Sequence, residues 1–276
     1  MRIRRVVVAI DASPTSLAAL EATTELAARW DAELLGIFVE DANLLRMASL
    51  PFAREVGSHS GAFRAVDPAD IKRQFRSQAD RARSALEKTA QRLSVRASFE
   101  VARGSVKDEL LGVLREGDLL SLGKGGQSLA ARLGLGSTAR AIATAAQGCV
   151  LMHSHVARVT GPVTVVYDGH RAADRALAAA VELARGHEAR LIIMCIAATR
   201  EATQELARTA SARVKGEGIE ARCRHLTAAD APELVQLARF FGTNTIVLPA
   251  NSPTLGEQVV EAVARDFAGP VLVVAG

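Results

Sequence analysis

Aromatic residues are scarce in this chain: they make up 4% of its 276 residues, with one tryptophan and one tyrosine among them. Cysteine is scarcer, at three, and Cys149, Cys195 and Cys223 form no CxxC or Cys/His spacing. Each sits in an apolar or strand-like run, the setting of a core or half-buried thiol. An odd cysteine count without a secretion signal points to a reducing compartment, hence the cytoplasm. Long apolar runs are missing too. No stretch approaches the roughly 18 uncharged apolar residues of a membrane span, and the N-terminal MRIRRVVVAID breaks at Asp11. Neither a signal peptide nor a membrane anchor is expected.

Charge of one sign is also nearly absent as a pattern. The net charge is +4, and residues 1–155 hold 21 Lys and Arg against 17 Asp and Glu, while 156–276 hold 13 of each. All the excess lies in the first half, scattered among acids with no arginine run and no aromatic interleaving. That distribution argues against a nucleic-acid partner. What remains is a chain that is 49% hydrophobic and 23% charged, long enough for two domains each with its own core.

An internal repeat organises it. An ungapped shift of 157 residues lays Asp11 on Asp168, Leu20 on Leu177, Glu25 on Glu182, Leu26 on Leu183, Ala27 on Ala184 and Leu34 on Leu191. Both halves also end alike, in GCVLMH and GPVLVVAG. The spacing predicts domains over 1–155 and 161–276, with a seam in HSHVARVTG.

In the first copy, Arg5–Ile10, Glu33–Phe38, Arg96–Val101, Asp118–Leu122 and Cys149–Met152 are short β-branched or aliphatic runs. Runs such as VVVAI and CVLM are continuously apolar, as strands buried on both faces are. Helices are predicted over Pro14–Trp30 and Pro68–Leu93, after the caps Ser13 and Asp67, and over Val106–Arg115 and Ser137–Ala146. The alternation defines an α/β, doubly wound parallel sheet. The second copy repeats it at Val163–Tyr167, Leu191–Ile196, Glu220–His225, Thr245–Leu248 and Val271–Val274. Residues 40–67 fit neither a helix nor a strand. Their Phe52, Phe63, Leu44 and Leu45 suit either a cover over a ligand or partner, or an Ω-like loop packed on itself.

After the fourth strand the sequence reads LGKGGQSLAARLGLGSTARAIATAA, placing Gly123, Gly126 and Gly136-Ser137 at a G-2x-G-9x-G-S spacing. Glycines let backbone approach phosphate oxygens, and Gly136-Ser137 opens a helix whose free N–H groups attract anions. The plainer reading is an N-cap at Ser137 and glycines that permit tight turns. Lys124, inside this run, either adds charge to phosphates or points to water. GLGSTA at 134–139 matches a dinucleotide fingerprint but follows no strand directly, and a Walker A loop is absent. His153 and His155 alternate in what reads as a linker, with no acid or cysteine to complete a metal site.

A strand ending in VAID, the ASP that leads into a helix, and the glycine spacing after strand four together resemble the universal stress protein family, and the likeness spans both halves. The resemblance implies two tandem Rossmann-like domains of the adenine nucleotide alpha hydrolase-like kind, each a five-stranded parallel sheet of order 3-2-1-4-5 with helices on both faces. It implies an adenine nucleotide, ATP or else ADP or AMP, with Mg2+ as companion. Asp11 is then expected to face the adenosine and the backbone of Val39, just after strand two, to contact adenine. Gly123, Gly126, Gly136 and Ser137 are expected to hold ribose and phosphates, with Ala12 and Thr138 beside them. Many members carry glycine where this chain has Ala12. Single-domain members pair, so the tandem chain resembles a fused pair, and a homodimer of the whole chain is a further expectation.

The second copy keeps Asp168 but sets Pro249 and Ser252 at the positions of Gly123 and Gly126, so a degenerate second site is expected. Asp11 is the one acid placed near the crevice, so no catalytic residue is assigned. Three functions follow in order: a nucleotide-binding stress-response sensor, a nucleotide-free scaffold that pairs through its final strands and binds an unidentified protein partner, and a slow ATP hydrolase.

Overall fold

The computed structural model describes residues 3–50, 54–56, 63–65, 67–124, 141–145, 148–153, 159, 161–185, 190–227 and 230–276. The first half runs β1 (Arg5–Ala9), α1 (Pro14–Trp30), β2 (Glu33–Asp41), α2 (Ala42–Ala48), β3 (Arg54–Val56), β4 (Phe63–Ala65) and α3 (Pro68–Arg92). It continues with β5 (Ala97–Gly104), α4 (Val106–Val113), β6 (Leu119–Gly123), helical residues 141–145 and β7 (Cys149–His153). The second half runs β8 (Val163–Tyr167), α5 (Arg171–Ala184), β9 (Leu191–Ile196), α6 (Arg200–Val214) and β10 (Ala221–Leu226). It closes with α7 (Ala231–Phe240), β11 (Thr245–Pro249), α8 (Glu257–Asp266) and β12 (Val271–Val274).

The sheet order is β10-β9-β8-β11-β12-β7-β6-β1-β2-β5. Each half is therefore a five-stranded parallel sheet in which the chain's third, second, first, fourth and fifth long strands lie side by side, as the family resemblance implied. The halves join through one antiparallel seam, β7 on β12, with Met152 opposite Val271 and Cys149 opposite Val274. Strands β6, β7, β8, β9, β11 and β12 are buried along their whole length. Only the outer strands β5 and β10 expose much of theirs.

Alternation inside each strand feeds two cores. Val6 and Val8 of β1 pack under α1 and α3 with Leu20, Leu26, Phe75 and Leu86. Val7 and Ala9 face the other way, towards Leu110 of α4, Ile142 and Leu122. Both cores run on across the seam to take in side chains of the second half, such as Leu177 on one face and Val260 on the other. Burying one Val or Leu side chain contributes about 1.5–3 kcal/mol, so the continuous layers hold the two halves as one body.

Helix ends follow their caps. Ser13 caps α1 by accepting from the Ser16 N–H, Pro14 opens the first turn, and Asp31 closes the helix at φ 51°. Asp67 caps α3 in the same manner, through the Ala69 N–H. Residues 40–67 correct the sequence expectation. β2 runs on to Asp41, whose carboxylate accepts from the Asn43 N–H at 2.9 Å and starts the short helix α2. Leu44 and Leu45 of that helix pack against the α1–α3 core, which is why seven residues suffice. β3 and β4 then pair as an antiparallel hairpin. Phe52 lies outside the described residues.

Candidate functional site

In a doubly wound sheet the ligand crevice forms beyond the carboxyl ends of the strands where the chain order reverses, here past β1 and β6. Asp11 follows β1 directly, is partly exposed, and its Oδ1 accepts from the Ser13 N–H at 3.0 Å. Its own N–H donates to Ser16 Oγ at 3.3 Å. These bonds fold residues 11–16 into a tight turn that aims the start of α1 at the crevice. Ala12 makes the turn with φ 58°, in the left-handed region, and is buried. In the second half the same position is Gly169, at φ 79°.

Gly123 ends β6 beneath this turn. A Cβ there would lie 3.0 Å from Ser16 N and from Thr15 C and O, so only glycine lets the strand end pass so close to the first turn of α1. Val39 corrects its expected position: it lies inside β2, not after it, paired with Ala102 of β5, and its side chain belongs to the α4 core. The strand outlasts β1 because β5 continues to support it as far as the Asp41–Gly104 pair. Gly126, Gly136, Ser137 and Thr138 lie outside the described residues. The structure thus brings together Asp11, Ala12 and Gly123, with Val39 on the neighbouring strand.

Lys124 corrects both of its sequence readings. Its ammonium donates to the carbonyls of Ala264 at 3.2 Å, Phe267 at 2.6 Å and Gly269 at 2.8 Å, all on the C-terminal side of α8 in the other half. A cation suits a helix C-terminus, where carbonyls without helical partners converge. Burial pulls the amine down to about 8. Nothing in the sequence near Lys124 signals this partner, which lies more than a hundred residues away. His153 is likewise no linker residue: it ends β7, fully buried, with Nε2 3.4 Å from Thr23 Oγ1. Thr23 in turn meets Ser121 Oγ at 2.5 Å, a buried polar row between α1 and strands β6 and β7. His155 lies outside the described residues.

The second crevice is built differently. Asp168 occupies the place of Asp11, but its side chain is fully buried. Ser252 Oγ donates to its Oδ2 at 2.5 Å, and the His170 N–H donates to its Oδ1 at 3.1 Å. Ser252 is itself held by the N–H groups of Leu255 at 2.8 Å and Thr254 at 3.1 Å. The residue standing where the first copy has Gly126 thus ties down the aspartate with its own hydroxyl. Pro249 replaces Gly123 at the end of the equivalent strand and removes a backbone N–H.

Fold and crevice together define a tandem Rossmann-like α/β protein in which Asp11 is partly exposed and its counterpart Asp168 is buried. The model of the universal stress protein family matches residues 2–153, and the chain belongs to that family. In structure it is similar over 98% of its length to 96% of a universal stress protein from Archaeoglobus fulgidus, at 19% identity and a TM-score of 0.74. It is also similar to a putative universal stress protein from Pseudomonas aeruginosa, at 14% identity, TM-score 0.59, covering 99% of this chain and 93% of that one. A functionally unknown protein from the same organism is similar at 15% identity and TM-score 0.58, covering 99% and 92%. These likenesses carry the fold. No curated protein matches the chain.

Proposed function

We propose that the chain is a cytoplasmic stress-response regulator that binds an adenine nucleotide, ATP or else ADP or AMP, in its first domain, residues 1–155. The second domain, residues 161–276, serves as a closed structural partner. One observation carries this reading: the contrast between the two strand-end crevices. Asp11 stays partly exposed beside Gly123, whereas Asp168 is buried under Ser252.

In the first crevice Asp11 would face the adenosine, Val39 would offer backbone beside the adenine, and Ala12 would line the turn. Gly123, Gly126, Gly136, Ser137 and Thr138 would hold ribose and phosphates through backbone N–H groups and hydroxyls. Gly123 stands at the strand end against the opening turn of α1, where a Cβ would meet the Thr15 and Ser16 backbone. A magnesium ion would neutralise phosphate charge there. Fast phosphoryl transfer needs a metal-holding acid and a group that positions the nucleophile. Asp11 is the acid that directly follows β1 at this crevice, and we read a binding protein before a hydrolase.

Calorimetric titration of the nucleotide-stripped chain with ATP, ADP and AMP tests the proposal. One nucleotide per chain, abolished by Gly126→Asp, is the expected result. Two per chain would overturn the closed second domain. No binding would leave the second reading, a nucleotide-free scaffold, which the seam between β7 and β12 favours because the final strands of the halves do pair.

A further inference from the structure

Lys124 stands one residue past Gly123, and Ala250 holds the same place in the second half, one residue past Pro249. The backbones match. The Lys124 N–H donates to the His153 carbonyl at the end of β7 at 2.6 Å, and the Ala250 N–H donates to the Val274 carbonyl at the end of β12 at 2.7 Å. The side chains differ. Ala250 offers a buried methyl group, whereas Lys124 sends a buried ammonium across to the C-terminal end of α8. The link therefore runs one way, from the strand end of the first half to a helix of the second.

An ammonium has three protons to donate, and Lys124 meets three carbonyls, those of Ala264, Phe267 and Gly269. Its donors are spent on the end of α8. Burying a cation among neutral acceptors is costly, and an apolar side chain would fill the same space at less cost. What the lysine adds is direction: hydrogen bonds fix a position that apolar contact, being non-directional, leaves free to slide. The receiving helix is itself held. Val260, Val263 and Ala264 bury one side of α8 in the core that also contains Leu122 and Met152. Its start follows Ser252, whose hydroxyl ties Leu255 to the buried Asp168. On the near side, Lys124 is peptide-linked to Gly123, which lies against the opening turn of α1 where Asp11 bonds Ser13 and Ser16.

We propose that the second domain sets the nucleotide affinity of the first through Lys124, a positioning residue that pins the end of β6, and Gly123 with it, against the turn from Asp11 to Ser16. The inference rests on the nucleotide reading above and gives the second domain a task in it. Phosphates gain no direct bond from Lys124. They gain a strand end already in place, so that less ordering is left to be done on binding.

Two measurements on the full-length chain test this, with Lys124→Met, Phe267→Leu and the double variant beside the wild type. Phe267→Leu alters the far end of the link. In the ligand-free protein, amide hydrogen exchange followed by mass spectrometry should be about tenfold faster at residues 11–17 in Lys124→Met and unchanged in β9. Phe267→Leu should speed the same amides, and the double variant should match Lys124→Met alone, because both changes cut one link. In calorimetric titration of the nucleotide-stripped protein, Lys124→Met should weaken ATP about tenfold and leave adenosine, which lacks the phosphates, within about twofold. Unchanged exchange at residues 11–17, equal acceleration of β9, additive effects in the double variant, or equal losses for ATP and adenosine would each overturn the inference and leave the nucleotide reading standing. Absence of ATP binding by the wild type would overturn that reading and the inference with it.

Discussion

At Ala12 a methyl group sits in a backbone conformation that glycine adopts at no steric cost. The left-handed region costs an L-residue roughly 1–2 kcal/mol, against about 0.4–1 kcal/mol that alanine returns by restricting the unfolded chain. Ala12→Gly should therefore stabilise the protein by about 0.5–1 kcal/mol, read as a higher urea midpoint at unchanged slope. Gly169 tests the converse. A Cβ there would combine φ 79° with a 2.6 Å approach to Leu206 Cδ2. Gly169→Ala should cost about 2 kcal/mol or more in the same assay. The sequence showed alanine where the family resemblance led us to expect glycine, yet not the φ angle, because a dihedral is fixed by the turn that Asp11, Ser13 and Ser16 build around it. Ser252 was legible as a lost glycine. Its bond to Asp168 was not, since it joins residues 84 positions apart.

Among the elements, those with strong local punctuation were legible. α1 begins and ends where Ser13, Pro14 and the polar Asp31 place its limits, and the continuous apolar strands lie where their β-branched runs put them. α2 escaped notice because it is one capped stretch of seven residues, stabilised by Leu44 and Leu45 against a core that a local reading does not contain. The end of β2 was placed too early, leaving Val39 outside it, because the extension of β2 is supported by β5, a tertiary neighbour. α8 depends on Lys124 in the same non-local way. The folded amine, lowered to about 8, releases its proton before the unfolded one at its ordinary 10.5. Between these values the unfolded chain binds more protons, so this group makes stability rise with pH. The stability of the wild type relative to Lys124→Met should accordingly increase from pH 8 to pH 10, measured by urea denaturation of both across that range.

For the molecule as a whole, the seam decides what each half can do alone. β7 is interior only because β12 covers it, and a free, fully apolar strand edge seeks another. Residues 1–155 expressed alone should form a homodimer through β7, with twice the monomer mass by light scattering. The intact chain should not use this edge for association. A monomeric fragment that stays folded would show that the seam is dispensable for covering the strand. The repeat made two like units legible in the sequence, together with the closing GCVLMH and GPVLVVAG. Pairing through the final strands was itself an expectation of the scaffold reading; its antiparallel register, with Met152 opposite Val271, was visible only once both units were folded.

Antiparallel pairing at the seam has a geometric result. Strand ends of the first unit lie on the same rim as strand starts of the second, which is why Lys124, one residue past β6, reaches the carbonyls just before β12. A visitor to this rim would meet the strand ends of one unit and the strand starts of the other at once, a composite surface that neither unit offers alone. Duplication has thus given the molecule a front and a back: the strand-end turn of Asp11 and that of Asp168 look out from opposite rims.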